Sequence, residues 1–115
     1  MFDKDKFKEL VKERENRDWD YKIEKIWNEM KLMILENDDS FKEFIEYMKI
    51  EMSGDEYGTL SEISDDIANK KPSYEFIDAY KFLAEKYSEE TKKYGILDFI
   101  EVAEGFVEYF LGKRN

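Results

Sequence analysis

The spacing of apolar residues is the feature of this sequence that most constrains its fold. Along almost the whole chain these residues recur at intervals of three and four, which places them on one face of an α-helix. No segment alternates cleanly between apolar and polar residues, as a half-buried strand would. β-Branched residues are also sparse. The pattern therefore predicts an all-α fold without a sheet.

Three helices are predicted in the first half of the chain. The first covers residues 3–14, and the second begins at Asp18 or Asp20 and ends near residue 35. A third begins where Ser40 and Glu43 have the spacing of a capping box, and it ends near residue 52. The expected core positions of these helices are Phe7, Leu10, Val11, Trp19, Ile23, Ile26, Trp27, Met30, Met33, Ile34, Phe41, Phe44, Ile45, Met48 and Met52.

Residues 53–58 are predicted to form a loop, because two glycines in this segment permit backbone conformations that end a helix. Thr59 and Glu62 then repeat the spacing of a capping box. A short fourth helix is therefore expected over residues 59–69. Its apolar side comprises Leu60, Ile63 and Ile67.

Two longer helices are predicted in the remaining part of the chain. One follows Pro72, with Ser73 as its cap, and the other covers residues 96–111. Residues 89–94 add one or two turns, which gives five or six helices in a bundle-like or irregular arrangement. Gly105 lies inside the last helix, where glycine costs up to about 1 kcal/mol relative to alanine, so a close helix contact is expected there. The predicted apolar faces are Phe76, Ile77, Tyr80, Leu83, Ala84 and Tyr87 in the first helix and Ile96, Phe99, Ile100, Ala103, Phe106, Val107 and Phe110 in the second.

The length and composition indicate one domain spanning residues 1–115, with enough apolar side chains, 42% of the chain, to form a core. Cysteine is absent, which excludes disulfides, thiolate zinc sites and a cysteine nucleophile. Histidine is absent too, which removes the commonest general base and every metal motif that contains histidine. We therefore expect a binding protein without cofactor or metal. A metal-dependent enzyme that uses only carboxylates is the catalytic alternative.

The location of the protein is expected to be cytoplasmic. The first thirty residues alternate charges and contain no apolar run of the kind found in a secretory signal. The longest apolar run, residues 32–35, is far shorter than the roughly 20 residues that cross a bilayer. We expect no membrane association.

The charge of the chain is strongly negative and unevenly distributed. The formal net charge is −10, and residues 36–66 alone carry eleven acidic and two basic side chains. A negative surface repels the phosphate backbone of nucleic acids and attracts basic proteins. Direct binding of nucleic acid is therefore disfavoured, and a basic protein partner is favoured.

Acidic side chains are densest in residues 51–66, where six acids occur without a basic residue. On the predicted fourth helix, Glu62, Asp65 and Asp66 are three and four residues apart and so share a face. Like charges in this position repel one another, and lysines or arginines of a partner would relieve the repulsion. The predicted partner-binding residues are Asp55, Glu56, Tyr57, Glu62, Asp65 and Asp66, followed by Asp38 and Asp39.

Two tyrosines near these acids, Tyr57 and Tyr47, are expected to be exposed. Amphipathic aromatic side chains anchor many protein interfaces, so both would suit a binding surface. The alternative is an ordinary solvated surface, because acidic residues also stabilise the N-termini of helices.

The segment from residue 51 to 68, EMSGDEYGTLSEISDDIA, followed by the PSYE restart at residues 72–75, resembles the small helical immunity proteins of bacterial polymorphic toxins, including those of contact-dependent growth inhibition. The resemblance covers roughly residues 41–107. It implies tight, stoichiometric binding to a cognate toxin domain, often a basic RNase or DNase, whose active site or substrate path is blocked. The alternative is an acidic mimic of nucleic acid that inhibits a restriction or CRISPR enzyme.

Overall fold

In a computed structural model, the described part of the chain comprises residues 1–17 and 20–114. These residues form eight helices and no strand, which confirms the all-α prediction but not the predicted number of five or six helices. The helices are α1 (Lys4–Glu15), α2 (Tyr21–Ile34), α3 (Asp38–Ile50), α4 (Gly54–Leu60), α5 (Ser64–Lys70), α6 (Tyr74–Lys86), α7 (Ser88–Tyr94) and α8 (Ile96–Leu111). The predicted core residue Trp19 and the alternative helix start at Asp18 lie outside the described residues.

Helix α4 occupies the segment that the two glycines predicted to be a loop. Ser53 caps it: its hydroxyl accepts a hydrogen bond from the amide of Glu56 at 3.2 Å, and the Glu56 carboxylate accepts one from the amide of Ser53 at 2.8 Å. This capping box satisfies two amides that would otherwise lack partners. Gly54 is then in the first turn of α4, close to Glu90 and Tyr87. The loop prediction was wrong because the Ser-x-x-Glu cap outweighs the glycines.

The predicted fourth helix is divided into two short helices. Helix α4 ends at Leu60, and the amides of Glu62 and Ile63 donate to carbonyls three residues back, which makes a tight turn before α5. The hydroxyl of Ser61 donates to the carbonyl of Gly58 at 2.6 Å within this turn. Glu62 therefore lies in a turn and not on a helical face shared with the acids of α5.

Side-chain caps also mark the starts of α1, α2, α3 and α6, whereas α5, α7 and α8 begin without one. Asn37 caps α3 by accepting a hydrogen bond from the amide of Ser40 at 2.8 Å, so α3 begins before Ser40 and the predicted cap at Ser40 was wrong. Ser73 caps α6 as predicted. Gly95 separates α7 from α8 with a left-handed backbone at φ 62°, a conformation that glycine adopts without strain.

Apart from Ile23, the buried apolar side chains of the described residues form one continuous cluster that draws on α1 to α6 and α8. Helix α3 packs against α2 and α6, while α8 packs against α5, α6 and α7. The largest fully buried side chains are Tyr57, Tyr80, Phe7, Phe44, Phe76, Ile23, Met30, Ile34, Met48, Met52, Leu60 and Ile63. Most of the predicted core positions are therefore confirmed.

Three tyrosine hydroxyls connect residues 52–64 to α6, to α7 and to Tyr87 between them. The hydroxyl of Tyr80 donates to Ser64 at 3.0 Å, and that of Tyr87 donates to the carbonyl of Met52 at 2.7 Å. The hydroxyl oxygens of Tyr57 and Thr91 are 2.7 Å apart. Because the Thr91 hydroxyl donates its hydrogen to backbone carbonyls, the Tyr57 hydroxyl is the donor of this bond. Burial raises the pKa of Tyr57 and Tyr80, so both remain protonated donors.

Helix α8 departs most from its predicted packing. Phe99 and Phe110 were both predicted to be core residues, but both are exposed. The buried residues of α8 are Ile96, Ile100, Ala103 and Val107. A Cβ atom added to Gly105 would meet no atom within 4 Å, apart from neighbouring backbone of α8. The predicted close helix contact at Gly105 is therefore wrong.

Within the described ranges, no helix is both long enough and apolar enough to pass through a bilayer.

Replacing Gly105 with alanine should raise the free energy of unfolding by about 0.5–1 kcal/mol, because alanine loses less backbone entropy in a helix and meets no clash here. Urea denaturation measures the change. Gly95→Ala is the matched control and should lower stability, because φ is positive at that position. A loss of stability in Gly105→Ala would show that the glycine is required by the fold.

Candidate protein-binding site

The predicted partner-binding residues do not form one surface. Asp38 and Asp39 are exposed in the first turn of α3, while Asp55 and Asp65 are exposed in the first turns of α4 and α5. Negative charge in a first turn interacts favourably with the helix dipole. These four residues therefore have a local structural role whether or not a partner binds.

Glu56 and Tyr57 are buried and occupied by internal contacts. The Glu56 carboxylate accepts hydrogen bonds from the hydroxyl of Tyr47 at 2.5 Å and from the amide of Ser53 at 2.8 Å. Tyr57 is completely buried, and Tyr47 is nearly so. Burial and the nearby Glu56 carboxylate raise the pKa of Tyr47, which keeps it a donor. The prediction of exposed anchors at Tyr57 and Tyr47 was wrong because both face the core.

Glu62 is held by residues of α1 and α2. Its two carboxylate oxygens accept from Nε and Nη2 of Arg14 at 2.9 and 2.8 Å, which is a bidentate ion pair. The indole of Trp27 donates to the same carboxylate at 3.0 Å. Charge-assisted, bidentate contacts of this kind are among the stronger polar interactions in proteins. The carboxylate of Glu62 therefore joins three parts of the fold.

Two further predicted acids form ion pairs within the chain. Asp66 accepts a hydrogen bond from the ammonium group of Lys31 at 2.6 Å, and Asp38 pairs with Lys71. The hydrogen bond and the positive charge of Lys71 lower the pKa of Asp38. The cations that pair with Asp38, Glu62 and Asp66 all come from outside residues 36–66. The acidic excess of that segment is thus partly neutralised by packing.

An acidic groove remains between α1, α4 and the α7–α8 corner. This groove, with a volume of about 500 Å³, contains the carboxylates of Glu15 and Asp55 and the rings of Tyr94 and Phe99. Partial burial raises the pKa of Glu15, and the negative charges of Asp55 and Glu56 raise it further. The complete lining is Arg14, Glu15, Asp55, Gly58, Thr59, Ser61, Glu62, Tyr94 and Phe99.

The composition of the acidic groove suits a basic side chain. Tyr94 and Phe99 are both about half-exposed. One face of the Tyr94 ring is already occupied by the ammonium group of Lys93, which lies 5.2 Å from the ring centroid. Aromatic faces and carboxylates both attract lysine and arginine, by cation–π interaction and by charge. The one cation in the lining, Arg14, is already bound by Glu62. A partner's lysine or arginine would therefore meet negative charge and aromatic surface together.

Only two of the predicted site residues, Asp55 and Glu62, line the acidic groove. Glu15, Tyr94 and Phe99 were not predicted to belong to the site. They come from α1, the end of α7 and the start of α8, and no spacing in the sequence connects them. Periodicity placed Phe99 in the core, because it is three residues after the buried Ile96 and four before the buried Ala103.

In residues 1–17 and 20–114, no three acidic side chains converge as the ligands of one ion would.

Comparison with protein families, with characterised proteins and with solved structures finds no match to this chain.

Replacing Glu62 with glutamine should lower the free energy of unfolding by about 1–3 kcal/mol, because the partly buried Arg14 loses its charged partner. Urea denaturation of Glu62→Gln, Arg14→Met and the double variant measures the coupling between the two residues. Glu9→Gln is the control with the same chemical change on an exposed acid, and it should change stability by less than about 0.5 kcal/mol. Equal effects of Glu62→Gln and Glu9→Gln would contradict a structural role for Glu62.

Replacing Asp55 with asparagine should lower the pKa of Glu15, because one of the charges that raise it is removed. Carboxyl titration by NMR measures this shift, and Asp65→Asn should leave the pKa of Glu15 unchanged. Folding favours the protonated form of Glu15, so its contribution to stability is present at low pH and is lost as the pH rises through the raised pKa. An unchanged pKa in Asp55→Asn would mean that the two carboxylates do not share a groove.

Proposed function

We propose that this chain is an immunity-type protein that binds a basic toxin domain one-to-one and neutralises it by occlusion, without catalysis. The observation that carries the proposal is the acidic groove, where Glu15 and Asp55 lie beside the half-exposed rings of Tyr94 and Phe99. Carboxylates next to accessible aromatic rings are a composition typical of interfaces with basic proteins. The partner is proposed to be a nuclease, since nucleases carry basic surfaces that hold phosphate.

The charge of the whole chain supports the same proposal. Internal ion pairs redistribute charge locally but leave the net charge at −10. A field of this sign accelerates the approach of a basic partner, while close desolvated contacts determine how long the complex lasts. The acidic groove would supply such contacts, and the remaining exposed carboxylates would contribute to steering.

The alternative of a nucleic-acid mimic has less support. A mimic presents a regular series of negative charges that replaces the phosphates of a duplex. Here Asp38, Glu62 and Asp66 are each paired with a cation of the same chain, which interrupts such a series. An occluding protein needs only one complementary patch, which the acidic groove provides.

The test of this function begins with capture on the immobilised full-length chain from a lysate of the source organism, at low and at high salt. The captured protein is then produced separately, and its nuclease activity is titrated with the chain. We expect a basic protein whose activity falls linearly to an end point at one equivalent. A captured protein whose activity is unaffected by excess chain would contradict the proposal.

The double variant Glu15→Gln, Asp55→Asn should weaken binding of that partner by roughly tenfold at low salt, because two groove charges are removed. Titration calorimetry at several salt concentrations measures the affinity and its salt dependence. Glu9→Gln, Glu24→Gln is the matched control, since it removes two exposed charges outside the groove. Equal loss in both double variants would show that only net charge matters and that the groove is not the contact.

A further inference from the structure

Helix α8 has a second apolar face that no part of the described chain covers. Phe99, Val102, Tyr109 and Phe110 are 43, 50, 82 and 50% exposed, and Phe106 is only partly buried. The steps from Phe99 to Val102, Phe106 and Tyr109 are three, four and three residues, so these side chains lie along one side of the helix. We call these five side chains the α8 stripe. It lies beside the core-facing side and is distinct from it.

The α8 stripe borders a shallow apolar groove against α5. This groove has a volume of about 400 Å³. Its lining is Asn69, Val102, Gly105, Phe106, Tyr109 and Phe110. Four of the five stripe residues therefore belong to one concave surface, and the fifth, Phe99, lines the acidic groove instead. The α8 stripe thus extends from the apolar groove to the acidic groove.

No contact within the described chain explains why residue 105 is a glycine. It lies inside α8, where glycine is unfavourable by up to about 1 kcal/mol relative to alanine. An added Cβ atom would meet nothing within 4 Å, so packing does not require the glycine. A glycine on a helix surface does, however, allow another backbone to approach closely. Its position in the lining of the apolar groove indicates an external helix that crosses there.

The charges around the α8 stripe indicate the kind of helix that fits. Helix α8 carries neither lysine nor arginine, and of its four acids Asp98 lies beside the α8 stripe. Glu101, Glu104 and Glu108 lie on the other side of the helix, where Glu104 pairs with Lys81 of α6 at 2.6 Å. On the α5 side, Asp65 is one helical turn from Asn69 and so lies on the same side of α5. A second copy of this chain would place acids against acids in a symmetric contact. A helix with basic residues on both sides of an apolar seam would be complementary.

We propose that the α8 stripe docks a basic amphipathic helix of the protein partner, which crosses α8 at Gly105. This inference rests on the proposed function and adds to it the structural element of the partner that is recognised. The apolar seam of that helix would pack on Val102, Phe106 and Tyr109. Its lysines and arginines would face Asp98 of α8 and Asp65 of α5, and Phe99 would connect this contact to the acidic groove. Helix-in-groove recognition of this type uses anchors spaced three and four residues apart.

The test uses two synthetic helical peptides of equal length with leucines at alternating intervals of three and four residues. One peptide has lysine on both sides of the leucine seam, and the other has glutamate at the same positions. Binding to the full-length chain is measured by fluorescence anisotropy. We expect the lysine peptide to bind at least roughly tenfold more tightly than the glutamate peptide. Equal affinity for the two peptides would overturn the proposal.

Gly105→Gln is the variant that tests the crossing point. Glutamine favours the helix more than glycine does and meets no atom of the chain at its Cβ, so the variant should fold. It should weaken lysine-peptide binding by roughly tenfold or more, because its side chain prevents close approach. Leu97→Gln is the control, since Leu97 is an exposed apolar residue of α8 that does not line the groove, and it should retain binding. Retained binding in Gly105→Gln would overturn the crossing at Gly105.

The failure of this inference is distinguishable from failure of the proposed function. If Gly105→Gln neutralises the captured toxin domain as well as the unchanged chain does, the function stands and the docking surface is wrong. If the lysine peptide binds at Gly105 but no basic toxin domain is neutralised, the docking surface stands and the function is wrong. A dimer in sedimentation equilibrium that Gly105→Gln dissociates would overturn the inference in favour of a second copy.

Discussion

The bidentate ion pair between Arg14 and Glu62 organises the part of the molecule on which the candidate site depends. It fixes the end of α1 to the turn between α4 and α5, and the indole of Trp27 brings α2 to the same carboxylate. Because Glu15 follows Arg14 directly, this pair also sets where Glu15 lies relative to Asp55. Burial raises the pKa of Glu15, and repulsion by Asp55 raises it further. That repulsion is thus a consequence of a favourable contact one residue away. The stabilising ion pair of Arg14 and Glu62 is therefore adjacent to the unfavourable carboxylate pair of Glu15 and Asp55. The carboxylate of Glu62 is already bound by Arg14, whereas Glu15 and Asp55 are exposed.

The distribution of unpaired charge in the folded chain differs from the distribution of charge along the sequence. Counted along the chain, residues 36–66 are an acidic block. In the folded chain, Arg14, Lys31 and Lys71 approach from outside that block and pair with three of its acids. The acids left for a partner are a smaller set, and Glu15, one of them, comes from α1. The net negative field of the chain and the acidic groove therefore do not arise from the same set of residues.

Helix α8 combines the two properties expected of a binding element. One side of α8 packs on the core through small and branched side chains, while the other exposes aromatic rings. Gly105 destabilises the helix relative to alanine, and no neighbouring atom requires a glycine at this position. Proteins commonly retain such unfavourable residues at functional surfaces, where stability and binding place opposite demands on the chain. The acidic groove and the α8 stripe share Phe99, so a partner that binds one surface lies close to the other.

The sequence by itself determined the all-α fold and most of the core, because the interval of three and four residues is a local property of the helix. It also contained the Ser53 cap of α4, a signal that the neighbouring glycines obscured. Only the tertiary structure decided which acids are paired, that Tyr47 and Tyr57 are buried, and that Phe99 and Phe110 are exposed. The physical reason is that periodicity identifies an apolar face but not what covers it. Ion pairs between residues 33 to 48 positions apart likewise depend on how the helices pack, which no local pattern encodes.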